Sequence, residues 1–116
     1  MPRRDDALLL DMLLACRKIQ KFTDDRSQAD FEADEMLQSA VIREFQVLGE
    51  AARMVSDEAK ARHEAVPWAV IRAMRNRLIH EYFEIRLDVL WDTVQDNIPH
   101  LLQTLEAIVP PESNDT

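Results

Sequence analysis

One glycine serves a chain of 116 residues. Tight turns between strands depend on residues that accept positive φ, and glycine does so without steric cost. Gly49 alone cannot supply a sheet with its turns, so the chain is directed towards helices. The rest of the composition agrees: Ala, Leu, Arg, Glu, Gln and Met are plentiful, and these are the strong helix formers. The same scarcity removes a glycine-rich phosphate loop, and with it nucleotide hydrolysis of the P-loop kind.

Apolar periodicity places the helices. Leu8, Leu9, Met12, Leu13, Cys16 and Ile19 form the first stripe, and Pro2, Asp5 and Asp6 suit its start. Leu10 and Leu14 widen that stripe, so this helix is apolar around much of its girth, which fits deep burial or contact with a second chain. Residues 23–30 are polar and read as a loop. A long helix is expected over 31–55, with Leu37, Val41, Phe45, Leu48, Ala51, Ala52 and Val55 inward. Gly49 inside it costs about 1 kcal/mol relative to Ala, which points to close approach by another helix, with a local break as the rival reading.

Ser56, followed by Asp57 and Glu58, reads as the N-cap of a short helix reaching Arg62. Pro67 sets Trp68 at the start of the next helix, which runs towards His80. The pattern loosens over 81–86. A last helix is expected from Asp88, with Leu90, Trp91, Val94, Ile98, Leu101, Leu105 and Ile108 on one face and a kink at Pro99. The sum is one all-α domain over 1–116, a bundle of four main helices plus a short helix, with antiparallel packing favoured by long helices and modest loops. Its core covers about 5–109, and 110–116, opening on Pro110 and Pro111, reads as a flexible tail.

Charge and chemistry exclude more than they assign. The single Cys16 cannot form an intrachain disulfide and lies in an apolar run, as a small buried hydrophobe would. The apolar stretch 7–16 is interrupted by Asp11 and too short to span a bilayer, and no secretory signal is seen, so a cytoplasmic protein without membrane contact is expected. His63, His80 and His100 are not paired at ligand spacing, and Glu44 and Glu50 lack the His partners of a di-iron bundle. Neither a metal nor another cofactor is expected. The net charge is −8, yet residues 68–86 carry Arg72, Arg75, Arg77 and Arg86 against Glu81 and Glu84, a local +2 that leaves −10 elsewhere. A basic spot on an acidic body suits a small anionic site or a basic partner better than a long nucleic-acid track.

Within that spot, Arg75, Asn76, Arg77, His80 and Tyr82 bring together a fixed cation, a titratable imidazole and a phenol. On a continuous helix, positions 75 and 80 lie roughly 140° apart, whereas 76 and 80, or 75 and 82, share a face. For one site to use both Arg75 and His80, the helix must end near His80 or two copies must contribute across a two-fold axis. Taken alone, the arginines also fit surface ion pairs, a lone helical His fits a structural role, and Tyr82 beside Phe83 fits packing.

The pattern Arg75, four residues, His80, one residue, Tyr82 resembles the Arg-x4-His-x-Tyr motif of the HepT ribonuclease-toxin group within the HEPN superfamily. The surrounding segments Leu48-Gly49-Glu50-Ala51-Ala52, Pro67-Trp68 and Leu87-Asp88-Val89-Leu90-Trp91 extend the likeness over roughly residues 5–109. The resemblance implies an all-α HEPN-like fold and a homodimer with the motifs at a shared cleft. It implies a metal-independent endoribonuclease in which an RNA 2′-hydroxyl attacks the adjacent phosphorus. His80 would be the general acid or base, and Arg75 would stabilise the phosphorane-like transition state. Asn76 and Arg77 would support them. DNA, without the 2′-hydroxyl, would not react. The likeness also implies a toxin–antitoxin pair whose MntA-like nucleotidyltransferase antitoxin attaches AMP to Tyr82, where an anionic group would block the cleft and repel RNA. The acidic balance keeps an alternative in view: a non-catalytic HEPN subunit that binds nucleotide or RNA as the partner of a nucleotidyltransferase. A third is a bare structural dimer whose motif residues only make ion pairs.

Overall fold

Where the chain turns without a glycine, polar side chains do the work. The structure, a computed structural model, describes residues 2–80 and 86–109. Seven α-helices and no strand occur among them. Helix α1 (Pro2–Thr23) ends where the Thr23 hydroxyl donates to the Ile19 carbonyl at 2.8 Å. The turn that follows needs one left-handed residue, and Asp25 takes it, with φ of 61°. Asp is among the few non-glycine residues that visit this region at modest cost.

The polar stretch 23–30, expected to be a loop, is only partly one, because α2 (Gln28–Ala33) begins inside it. Ser27 builds a capping box there: its hydroxyl accepts from the Asp30 amide, and the Asp30 carboxylate accepts from the Ser27 amide, each at 3.0 Å. Those bonds hold the Asp30 carboxyl below the usual range. Helix α2 delivers Phe31 into the core, where it is fully buried against Trp91 with ring centroids 5.4 Å apart. Burying such a side chain contributes on the order of 1.5–3 kcal/mol, which explains why six residues with one large apolar group hold a helix.

The single helix expected over 31–55 is therefore two. Asp34 is extended between them, and its carboxylate accepts from the Leu37 amide at 3.0 Å as the N-cap of α3 (Glu35–Met54). The inward face of α3 is the one its periodicity predicts: Leu37, Val41, Phe45, Leu48, Ala51 and Ala52 are buried. Ser56 then caps α4 (Asp57–Arg62) by accepting from the Ala59 amide, and its hydroxyl donates at 2.7 Å to Asp5 at the start of α1. Asp5 also accepts from the Ser56 amide at 2.9 Å. The beginning of α1 thus meets the end of α3, and these two helices run in opposite directions.

Helix α5 (Trp68–His80) starts directly after Pro67, as expected, and the Trp68 indole N–H donates to the His63 carbonyl at 3.0 Å. The last helix is broken at Asn97 into α6 (Leu87–Asp96) and α7 (Ile98–Ile108) rather than kinked at Pro99. The break places Pro99 in the first turn of α7, where a missing N–H is harmless. Helix α1 packs between α3 and α7, which accounts for its wide apolar girth, although Leu14 stays 37% exposed. Helix α5 also packs on α3, and α2 bridges α3 and α6. The tail expected over 110–116 lies outside the described residues. No helix among those described is long and apolar enough to cross a membrane.

Candidate active site

The packing of α5 on α3 turns on the single glycine. A Cβ placed on Gly49 would lie 2.5 Å from Arg75 Cβ and 2.9 Å from Arg75 Cγ. Only a residue without a side chain lets the Arg75 stem lie this close across α3. The expected close approach at Gly49 is real, and Arg75 is the group that approaches.

The Arg75 head is then fixed from two sides. Its Nη2 lies 3.2 Å from Glu50 Oε1, and its Nη1 donates to Asn76 Oδ1 at 3.3 Å. The side chain is 23% exposed. Its Nε is buried and meets no acceptor among the described residues. Glu50 holds a second guanidinium as well, Arg53, whose Nη2 donates to Oε2 at 2.6 Å. Arg53 above all, and then Arg75, keep the Glu50 carboxyl below its usual range, so it is ionised at neutral pH. One carboxylate therefore clamps two arginines along one side of α3.

These groups border a groove of about 250 Å³ lined by Gly49, Ala52, Arg53, Lys60, Trp68, Arg72 and Arg75. Among the described residues, four cations and no acid line it. Lys60 Nζ sits 5.8 Å from the centroid of the Trp68 ring. On α5, positions 68, 72 and 75 follow one another at i, i+4 and i+7 along a single face. A second cavity, about 210 Å³, opens between Phe45, Leu48, Val70, Ile71, Met74 and Leu101 among its lining residues. Its largely aliphatic wall offers an anion little.

Of the residues expected to act together, Arg75 and Asn76 are in contact. The Asn76 amide oxygen is thus engaged by the guanidinium one residue before it. Arg77 is exposed and makes no ion pair among the described residues. Helix α5 is continuous through position 80, so positions 75 and 80 are roughly 140° apart around its axis. The His80 side chain and all of Tyr82 lie outside what is described. No three His, Cys, Asp or Glu side chains among the described residues cluster as a metal ion would require. Arg53, Lys60 and Arg72 were not singled out together by sequence reasoning. Two helical spacings could have linked the arginines to the site: Arg53 is four residues after Gly49, and Arg72 three before Arg75. Lys60 reaches the groove only through the placement of α4.

Comparison with known proteins bears on this region directly. A family model described as ribonuclease HepT-like matches residues 12–108, a span that contains Gly49, Arg75, His80 and Tyr82. The chain is 36% identical over 108 residues to a protein of Thermococcus cleftensis named probable ribonuclease HepT, covering 93% of this chain and 98% of that one. It is 34% identical over 110 residues to a candidate RNase of Methanocaldococcus jannaschii, covering 94% of this chain and 91% of the relative. A second candidate RNase of that organism is 33% identical over 109 residues, covering 93% of this chain and all of the relative. No solved structure matches the chain.

Proposed function

Because the chain belongs to the ribonuclease HepT-like family, we propose that it is a metal-independent endoribonuclease and the toxin of a toxin–antitoxin pair. The observation that carries the reading is that the span matched by the family, residues 12–108, contains the complete motif from Arg75 to Tyr82. The local geometry supports it: a guanidinium held in place before any ligand arrives is what stabilisation of a developing phosphorane charge requires.

In this reading the RNA 2′-oxygen bonds to the adjacent phosphorus while the bond from phosphorus to the 5′-oxygen breaks. His80 takes the proton from the 2′-hydroxyl or supplies one to the leaving 5′-oxygen. Arg75 stabilises the charge on the non-bridging oxygens, Asn76 steadies the Arg75 fork, and Arg77 adds positive charge nearby. The products are a 2′,3′-cyclic phosphate and a 5′-hydroxyl. In this reading the site is composite, with a homodimer bringing Arg75 of one copy to His80 of the other; the roughly 140° between positions 75 and 80 on α5 favours this over a site within one copy. A nucleotidyltransferase antitoxin neutralises it by adenylylating Tyr82, which adds a bulky anion beside the cleft.

The test is cleavage of labelled RNA by the purified dimer in excess chelator, with product ends identified by mass. Cleavage that leaves cyclic phosphates, spares DNA and is lost in His80→Ala and in Arg75→Ala is the expected result. An intact substrate across varied RNAs, with folded and unmodified protein, would sink the nuclease reading. The net charge of −8 favours one alternative, binding without turnover, in which Arg75→Ala weakens RNA affinity in a protein that never cuts. Intact mass after co-expression with the nucleotidyltransferase decides the antitoxin part: adenylate should appear on Tyr82 only with the partner.

A further inference from the structure

We propose that the groove between α3, α4 and the first half of α5 seats a backbone phosphate of the RNA strand next to the one being cleaved. The inference rests on the nuclease reading above and adds a subsite that adjoins Arg75 and is otherwise built from residues outside the motif.

The charge distribution points to a ligand. Acids outnumber Lys and Arg by 22 to 14 over the chain, yet among the described residues this groove gathers four cations and no acid. Glu50 answers only two of them, Arg53 and Arg75. Lys60 and Arg72 have no ion-pair partner among the described residues. Lys60 is instead held near the face of Trp68, a contact that places an ammonium without neutralising it. Such a set of cations repels itself, and an anion in the groove relieves that.

Size and geometry select the kind of anion. At about 250 Å³ the groove falls below the roughly 300–1,000 Å³ usual for an enclosed small-molecule site, which suits a passing phosphate better than a whole captured nucleotide. The Trp68 ring is half-buried, its N–H is used by the His63 carbonyl, and Lys60 sits near its face. It is therefore a prop for Lys60 and not a platform for a base. Along α5, Arg72 lies one turn before Arg75, and Trp68 about 10.5 Å before it, so the groove runs on from the Arg75 guanidinium along α5, the path this proposal gives to the strand. Contacts of this kind position a strand and carry no sequence information.

The experiment is fluorescence anisotropy of a labelled, fully 2′-O-methylated RNA, which this chemistry cannot cut, titrated with the dimer over a range of salt. It is run with wild type, the double variant Lys60→Gln/Arg72→Gln, and the exposed Lys18→Gln on α1 as a control. Cleavage of the matching unmodified RNA is followed in parallel. The double variant should bind about 10-fold more weakly, with the salt slope falling by about 0.7 for each phosphate charge no longer neutralised. Its KM should rise by a similar factor while kcat stays within about two-fold. Lys18→Gln should change nothing. Arg72→Gln alone, at an exposed position, decides the matter if circular dichroism shows the double variant misfolded, and Arg72→Lys should keep the slope. Unchanged RNA affinity and slope in a folded variant overturn the proposal. A wild type that cleaves while the variant keeps its KM leaves the nuclease standing without the subsite. A wild type that binds through Lys60 and Arg72 but never cuts leaves the subsite without the nuclease.

Discussion

Arg75 depends on two neighbours in α3 for its position, and each can be removed separately. Gly49→Ala sets two effects against each other. The helix gains about 1 kcal/mol of propensity. The new methyl arrives 2.5 Å from Arg75 Cβ, an atom fixed to the α5 backbone that cannot swing away as a side-chain tip can. Overpacking of that kind costs roughly 1–3 kcal/mol, so the variant should be less stable by about 1 kcal/mol, read as a lower urea midpoint at unchanged slope. Its RNA cleavage should fall by at least 10-fold, because α5 must shift and carry Arg75 with it. Glu50→Gln separates position from charge. It frees both arginines that Glu50 clamps and makes the groove more positive. KM for RNA should therefore fall while kcat falls several-fold, and a drop in kcat with KM unchanged or raised would argue against a clamp. Gly49 could be read from sequence as a point of close approach because a helix rarely spends a glycine without reason. Which residue approached could not, since that depends on the register of α5 against α3.

At the scale of elements, the helices whose caps and stripes are strong were legible, and those held by distant partners were not. Ser56 with its two following acids, Pro67 before Trp68, and the inward face of α3 all follow from local rules. Helix α2 escaped because it has one large apolar residue and no periodicity, and the ring that buries Phe31 is Trp91, sixty residues away. Asp5 was legible only as an acid near a helix start, whereas it ties α1 to the junction of α3 and α4 through Ser56. The two Ser56 hydrogen bonds hold the Asp5 carboxyl below its usual range. A carboxylate lowered on folding contributes stability that is complete above its unfolded pKa, about 3.9, and is lost as pH falls through the lower folded value. The melting temperature of wild type should therefore exceed that of Asp5→Asn by a constant margin at neutral pH, and the margin should close below about pH 4. Comparing the two proteins cancels the other carboxylates. A gap that persists undiminished to pH 2 would show that the tie is steric.

For the whole molecule, the proposed composite site makes a quantitative demand that no single-chain site can meet. Arg75→Ala and His80→Ala should each be inactive as homodimers. If each site takes Arg75 from one copy and His80 from the other, a mixed dimer of the two variants has one site with both residues intact and one with neither. Equal amounts exchanged to equilibrium give half mixed dimers, each with one working site of two, so activity should return to about one quarter of wild type. If Arg75 and His80 of the same copy act together, no combination restores a site and the mixture stays dead. The measurement is cleavage of labelled RNA by the two variants alone and after unfolding and refolding together, with subunit exchange confirmed by mass on differently tagged chains. The divergence of positions 75 and 80 on α5 is why the quarter is expected. The cationic groove adds a further expectation, since Lys60, Arg72 and Arg75 stand together on α4 and α5 of the same chain. A strand lying from Lys60 to Arg75 must then reach a histidine of the other copy, so both variants should bind 2′-O-methylated RNA even where neither cuts. Binding retained in His80→Ala and weakened in Arg75→Ala, together with recovery on mixing, is the combination that a site shared between two copies predicts and a site within one copy does not.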